Sequence, residues 1–392
     1  MSTSSSSSST DRFPLTPLES QASSSCSSST RFEMSSRGAA PTFSSCLETA
    51  SSEFGLTTED IELFQSYLSQ QASYLPTCSY YLSKKDGSPI PFLCEATPTE
   101  KRIYLAPRRI EKGVNSHIRL GMDLQGRVIV LKMTAETGAH ITKKGIKVNA
   151  HLATLKRASE FFVYGPSFKY TTYFKGSVVD RTAFILPYFS GGHLFSLITS
   201  SGTEQKVPSN KLIYPIALQM AKAVEYLHKH GIVHGDLKPE NFLRDHAGKV
   251  FLADFGLSSF EGDAIKTGTG AAGYIDPDDF TKPPREMTIA SCHRDIWALG
   301  ACYALFKRLG VFQNFSGQMA GDYHKLADIS TKSFEWYKGE MFPNRENDSS
   351  IEFVIDHCLK RKPKDRISIR SVVLLIEDLI QDRTSKASLK QE

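Results

Sequence analysis

HGDLKPENFL, His234 to Leu243, followed by ADFGL, Ala253 to Leu257, is the stretch that decides how the rest of the chain is read. Asp236 is a carboxylate able to take a proton from a hydroxyl, and Lys238 is a cation able to hold a phosphate in transfer. Asn241 and Asp254 are hard oxygen donors. They suit Mg²⁺, a cation held by one or two protein oxygens while phosphates and water complete its shell. Phe242-Leu243, the turn residues Asp245 to Lys249 and the apolar run Val250 to Ala253 predict a strand, a tight turn and a second strand. Such a hairpin returns Asp254 to Asn241, so one metal cluster forms from two positions distant in sequence.

In order and at this interval, His-Gly-Asp-Leu-Lys-Pro-Glu-Asn and Asp-Phe-Gly resemble the catalytic loop and metal-binding motif of eukaryotic-type serine/threonine protein kinases. Working outward, a chain of 392 residues has room for one two-lobed domain with extensions. A hydrophobic fraction of 40% and a charged fraction of 23% are those of an ordinary globular protein, and a net charge of +5 gives no sign of a dedicated nucleic-acid binder. The cysteines at 26, 46, 78, 94, 292, 302 and 358 form no C-x-x-C pair. They read as reduced thiols in a cytosol-like compartment.

Serine, threonine and small residues dominate the first 55 residues, which offer little apolar surface to offset ordering entropy and are expected to be disordered. The arm has no apolar signal core, and no stretch of the chain reaches membrane-spanning length. Beside the reading of a plain tail stand two others: a phosphoacceptor-rich regulatory arm, and a resemblance to the serine-rich export signals of bacterial effectors injected into host cells. Composition does not separate them. A helix is expected from Leu56, capped at Thr57 or Thr58, and then a hairpin from Tyr80–Leu82 and Phe92–Cys94 turning at Asp86-Gly87. Residues 56–102 form a family-specific extension that props the smaller lobe.

The resemblance covers residues 103–382, leaving 383–392 as a polar tail. It places the glycine-rich loop over the ATP phosphates at IEKGVNSHI, Ile110 to Ile118, where only Gly113 keeps its place and Glu111 and Ser116 stand where glycines are expected. Lys132, in the apolar strand Val128 to Met133, resembles the lysine that pairs with the α- and β-phosphates of ATP. In the family a glutamate on the next helix pairs with that lysine. Aligning Leu155-Lys156 with the helix end puts this position at His151, with Glu136 too near the strand and Glu160 too near the far end. TAFILPYFSGGHL, Thr182 to Leu194, resembles the connection between lobes, with Leu186 as gatekeeper and Tyr188 and Phe189 as hinge residues facing adenine.

Gly235 replaces the arginine that normally receives an activation-loop phosphate, so activity is expected not to depend on that phosphate. Ser258, Ser259, Thr267 and Thr269 remain candidates for modification. His-Gly-Asp also occurs in small-molecule phosphotransferases such as aminoglycoside kinases. Three features favour a protein kinase: Gly273 to Asp278 resembles the end of an activation segment, Arg294 to Gly300 the helix start whose aspartate braces the catalytic loop, and Arg366 the arginine pairing with the first motif, here with Asp278. Ala271 or Ala272 occupies the place of a threonine usually found near the substrate.

The resemblance implies an α+β, two-lobed protein-kinase-like fold with a small β-rich N-lobe and a larger, mainly helical C-lobe. It implies ATP and Mg²⁺ as cofactors, with Asp236 and Lys238 catalytic, Asn241 and Asp254 on the metal, and Lys132, Gly113, Leu186, Tyr188 and Phe189 on the nucleotide. Protein substrates are the expected partners, with host or regulatory proteins beside them, no nucleic acid and no membrane span. The expected compartment is cytoplasmic, or a host cytosol if the arm is an export signal. The alternative is a pseudokinase scaffold.

Overall fold

The computed structural model describes residues 78–82, 89–96, 101–112, 116–123, 127–134, 139–174, 177–199, 209–271, 273–281, 286–307 and 350–388. The serine-rich arm, the helix expected from Leu56, the Asp86-Gly87 turn, Gly113 and Ala272 lie outside these residues. The chain forms two compact units, one of Met1–Thr137 with Ser167–Phe184, the other of Gly138–Pro166 with Ile185–Glu392. A β-rich small unit and a mainly helical large one make the α+β, two-lobed architecture that the motifs imply.

The first unit is built on one sheet. Its strands are β1 (Cys78–Leu82), β2 (Pro89–Ala96), β3 (Lys101–Lys112), β4 (Ser116–Asp123), β5 (Val128–Thr134), β6 (Ser167–Phe174) and β7 (Ser177–Pro187), which continues into the second unit. They lie in the order β1-β2-β3-β4-β5-β7-β6. The expected extension hairpin is therefore an edge of this same sheet, because β2 pairs antiparallel with β3. The sheet curls enough for Tyr104 of β3 to stack on Phe168 of β6, ring centroids 5.8 Å apart. Leu93, Leu120 and Met122 are buried, and on β5 Ile129 and Leu131 are buried at alternate positions, the period of a strand with one face in a core. Thr134 fastens β5 to β7, accepting from the Thr182 amide and donating to its carbonyl, both at 3.1 Å.

The second unit contains α1 (Ala139–Thr154), the one-turn α2 (Ser196–Thr199), α3 (Asn210–Lys229), α4 (Cys292–Phe306), α5 (Ile351–Cys358) and α6 (Ile369–Ser388). Helix α6 runs on through residues expected as tail, since the polar residues after Asp382 include good helix formers such as Lys386 and Ala387. Between the helices lie short antiparallel pairs: β8 (Ile232–Val233) with β11 (Ser259–Phe260), β9 (Phe242–Arg244) with β10 (Val250–Leu252), and β12 (Ala264–Lys266) with β13 (Met287–Ile289).

Helix α3 shows why the sequence folds this way. Ile213, Ala217, Met220, Val224 and Leu227 recur on one face and are all buried, and Gly231, at φ +66°, takes the left-handed turn that follows the helix end. Helix α4 is buried from Arg294 to Phe306 and centres the core on Trp297 and Tyr303. Removing the Trp297 ring would cost about 3–5 kcal/mol by the usual scale of large-to-small core changes.

Candidate active site

Helix α3 delivers the chain through β8 to His234, which is fully buried. Asp295, in the first turn of α4, fixes the backbone there: Oδ2 accepts from the His234 amide at 2.8 Å and Oδ1 from the Gly235 amide at 2.9 Å. His228 Nε2 lies 2.9 Å from the same Oδ2. Burial alone would raise the Asp295 carboxyl, but the His228 bond and the neighbouring imidazoles hold it below the ordinary value.

The His234 ring completes the brace. Its Nε2 lies 3.0 Å from the Ala253 carbonyl, and its Nδ1 is 3.3 Å from the Asp236 amide. One neutral tautomer satisfies both contacts, with Nε2–H donating and Nδ1 accepting. Burial, the largest influence, holds this imidazole below its ordinary value, against the pull of Asp295 and Asp236. Phe255 packs edge-on to His234 at 5.3 Å and to Phe162 at 5.7 Å, so the two motifs share one ring stack.

Three of the side chains expected to be functional meet directly. Lys238 Nζ lies 2.9 Å from Asp236 Oδ2. Asn241 Nδ2 donates to that oxygen at 3.1 Å and to the Asp236 carbonyl at 2.7 Å. Burial works against the Lys238 charge, yet Asp236 with Glu240 and Asp254 pushes its pKa up. The ammonium is therefore kept charged beside the carboxylate. Burial raises the Glu240 carboxyl, opposed by Lys238 and His193.

The β9–β10 hairpin pairs Phe242 with Leu252, and the Ala253 amide donates to the Asn241 carbonyl at 2.8 Å. Asp254 follows one residue beyond this bond. It holds the left-handed conformation, φ 66° and ψ 72°, which a non-glycine residue adopts at a cost and which clusters at functional sites. Its Oδ1 accepts from the Gly256 amide at 3.2 Å. Both Asn241 amide contacts to Asp236 use Nδ2, which leaves Oδ1 as the group that can meet a cation. Asn241 and Asp254 thus form a hard-oxygen set of the kind Mg²⁺ takes when phosphates complete its shell. Among the described residues no three His, Cys, Asp or Glu side chains gather as a self-sufficient metal cage.

The remaining candidates are spread over both units. Lys132 is half-buried on β5, opposite Ile118 of β4, in the first unit. Leu186, half-buried, and Tyr188, 38% exposed, lie at the start of the second. Phe189 packs on Phe251 at 4.8 Å. Gly191 follows where a β-carbon would come within 2.7 Å of the Asp245 carbonyl oxygen, so glycine is required there.

Helix α1 packs against the turn Phe255–Leu257: a β-carbon built on Gly145 would lie 3.5 Å from the Phe255 carbonyl oxygen. Val148 and Leu152 are buried, while His151 is half-exposed and meets Phe260 edge-on at 5.4 Å. The helix sequence AHITKKGIKVNAHLAT contains neither Asp nor Glu, so no register of α1 supplies the glutamate of the family pattern.

Two expectations are corrected. Arg366 pairs with Asp276, not Asp278: Nη2 donates to Asp276 Oδ1 at 2.7 Å and Nη1 to Oδ2. Asp276 stands just before the tight turn Pro277–Thr281, where its Oδ1 also receives the Asp278 amide at 2.9 Å, and that turn leaves Asp278 exposed. The Arg366 guanidinium also covers the Trp297 ring at 5.3 Å and donates to the Lys360 carbonyl at 2.9 Å. In addition, Ser258, Ser259 and Thr267 are buried and closed to a modifying enzyme, which leaves Thr269 of the four. Ser258 donates to the His234 carbonyl at 3.0 Å and so belongs to the brace. His228 was not singled out in the sequence; its signal was its position on the α3 face opposite the Asp295 motif.

The family model described as "Protein kinase domain" matches residues 105–375. CBL-interacting serine/threonine-protein kinase 24 of Arabidopsis thaliana is 30% identical over 192 residues, 48% of this chain and 39% of the relative. Calcium/calmodulin-dependent protein kinase type 1 of Macrobrachium nipponense is 35% identical over 125 residues, 31% and 34% of the two chains. The protein of that name from Caenorhabditis briggsae is 28% identical over 194 residues, 48% and 50%. The alignments span about a third to a half of the length of these relatives.

Proposed function

The chain belongs to the protein kinase family, and on that premise we propose that it transfers the γ-phosphate of ATP to serine or threonine hydroxyls of protein substrates. The observation that carries this reading is the Asp236–Lys238–Asn241 cluster on a loop held by Asp295. Asp236 accepts the proton of an incoming hydroxyl on Oδ1, because Oδ2 already takes the Lys238 and Asn241 bonds that fix the carboxylate in place. Lys238 balances charge on the phosphoryl group in transfer, a reaction governed by positioning and electrostatics rather than covalent chemistry. Asn241 and Asp254 are the residues to hold Mg²⁺, which when bound neutralises charge between the phosphates. By the family resemblance, Lys132 and Gly113 are the candidates for the phosphates, and Leu186 with the backbone of Tyr188 and Phe189 the candidates for the base.

A scaffold reading has in its favour the absence of any acid from α1, where His151 stands at the expected position, and Glu111 and Ser116 where glycines are expected. Retention of Asp254 and of the bonded trio Asp236, Lys238 and Asn241 weighs against it. For the serine-rich arm, export into a host cell is the finer proposal, and a secretion assay on a fusion of residues 1–55 decides it.

The test is incubation of the full chain with Mg²⁺, labelled ATP and a generic basic protein, beside Asp236→Asn. Label on serine or threonine that disappears in the variant is the expected result. No label, with nucleotide binding still visible as a thermal shift, would overturn catalysis in favour of the scaffold.

A further inference from the structure

Consecutive residues at the start of α4 do different work. Asp295 turns toward the catalytic loop, whereas Arg294, also buried, turns toward the segment between β12 and the Pro277–Thr281 turn. Its Nη1 donates to Asp279 Oδ1, and its Nη2 donates to the Thr269 carbonyl at 3.1 Å. The other Asp279 oxygen accepts the Gly268 amide at 3.2 Å. One guanidinium and one carboxylate thus take hold of the backbone on both sides of the Gly268–Thr269 peptide.

That grip sets the segment down on the catalytic loop. Gly270, at φ +134°, lies so close that a β-carbon would come within 3.2 Å of the Gly235 carbonyl oxygen and 3.3 Å of Ile275. Gly235, at φ +76°, is equally confined, because its own β-carbon would stand 3.0 Å from the Leu257 carbonyl oxygen. Two glycines, back to back, let the main chains approach without intervening side chains. A small cavity lined by Gly235, Asp236, Thr269, Gly270, Tyr274 and Arg294 opens where the segment and loop meet. The same loop residue that lacks an arginine side chain is therefore covered by a segment that brings its own ion pair.

We propose that Arg294 and Asp279 are positioning residues for phosphoryl transfer, a built-in guanidinium–carboxylate clamp that holds Gly268–Ala271 against the Asp236 loop and does the work of an added phosphate. The proposal rests on the kinase reading above and specifies how its acceptor side is ordered. A carboxylate is present from synthesis, so the segment is set without a modifying enzyme. Arg294 reaches the segment and Asp295 the loop from adjacent positions on one buried helix, which ties the placement of the acceptor to that of Asp236. Charge-assisted hydrogen bonds of this kind carry more than neutral ones.

The test uses the full chain and the variants Arg294→Gln, Arg294→Lys, Asp279→Asn and the exchange Arg294→Asp with Asp279→Arg. Two quantities are read: hydrogen exchange at the Gly268 amide, which Asp279 holds, against that along Trp297–Leu305, and kcat with separate KM values for ATP and for the acceptor protein. In Arg294→Gln and Asp279→Asn, segment exchange should rise about tenfold or more while α4 stays protected, the loss expected when a hydrogen bond to a charged group goes. Acceptor turnover should fall by about the same factor, with KM for ATP unchanged, since only the acceptor side is disturbed. Arg294→Lys should recover part of both, and the exchange more than either single change.

Unaltered segment exchange, or a loss that appears equally in the ATP KM, would overturn the clamp. So would phosphatase treatment that silences the wild-type chain. If Arg294→Gln exposes α4 as well, the equal-sized Asp279→Asn decides in its place. If the wild-type chain transfers no phosphate, the kinase reading fails, while the exchange measurements still decide whether the pair orders the segment.

Discussion

Residues 234–241 take their anchoring hydrogen bonds from side chains on other elements, Asp295 above all, whereas residues 101–123 in β3 and β4 are anchored by strand pairing along their own backbone. The first region carries Asp236, Lys238 and Asn241, three of the groups proposed for the chemistry. The second carries register shifts between Leu105 and Arg108 and between Arg109 and Glu111, and its tip has Glu111 and Ser116 where glycines are expected. A site built on side-chain chemistry fails when one residue is lost. A loop that works through backbone amides loses affinity by degrees, because each amide contributes a modest share. On the proposed function, the large unit supplies the chemistry and the small unit is where a weakened hold on the nucleotide is expected.

The largest expected effect comes from removing a side-chain anchor in the large unit. Asp276→Ala leaves the Arg366 guanidinium buried without its carboxylate and should cost about 3–5 kcal/mol in denaturant unfolding. Asp278→Ala, at an exposed position outside the Arg366 pair, should cost much less. Equal losses for the two would break the contrast, because the turn would then not be anchored as described.

Acid sharpens the same point. The His234 value in the folded protein lies below the ordinary 6.5, so the folded state binds fewer protons than the unfolded chain. Its contribution to stability is present above pH 6.5 and is lost as the pH falls from there toward the lowered folded-state value. In that window stability should fall as the pH falls, and this dependence should flatten in His234→Phe. A slope that persists in the variant would assign the acid response elsewhere.

Smaller effects belong to the small unit and its neighbours. Glu111→Gly with Ser116→Gly should lower the ATP KM by roughly three- to tenfold, about the worth of one recovered hydrogen bond. No change, measured in the transfer assay, would mean that the tip does not approach the phosphates. His151→Glu should alter the ATP KM by less than about twofold, since position 151 meets Phe260 rather than the Phe255–Leu257 turn. A large gain there would restore the register read from the sequence.

What the sequence disclosed follows the same division. The loop, the hairpin that returns Asp254 to Asn241, and Asp295 were legible because each residue type has one chemical reason to stand at its spacing. The partner of Arg366 was not, since Asp276 and Asp278 lie two residues apart and only the rotation of the turn decides which faces inward. The burial of Ser258, Ser259 and Thr267 was equally hidden, because a hydroxyl that braces a carbonyl looks the same in sequence as one awaiting phosphate. The edge strands β1 and β2 were visible as a hairpin, but their union with β3 depends on pairing across residues 97–100, which carry no periodic signal.

An ATP titration of phosphate transfer by the full chain, with kcat and KM read separately beside Asp236→Asn, tests the division of labour most directly. The predicted result is transfer that Asp236→Asn removes and that saturates only near or above about 1 mM ATP, the upper end of common KM values. Tight nucleotide binding without transfer at any ATP concentration would contradict it, placing the defect in the large unit and its function in binding.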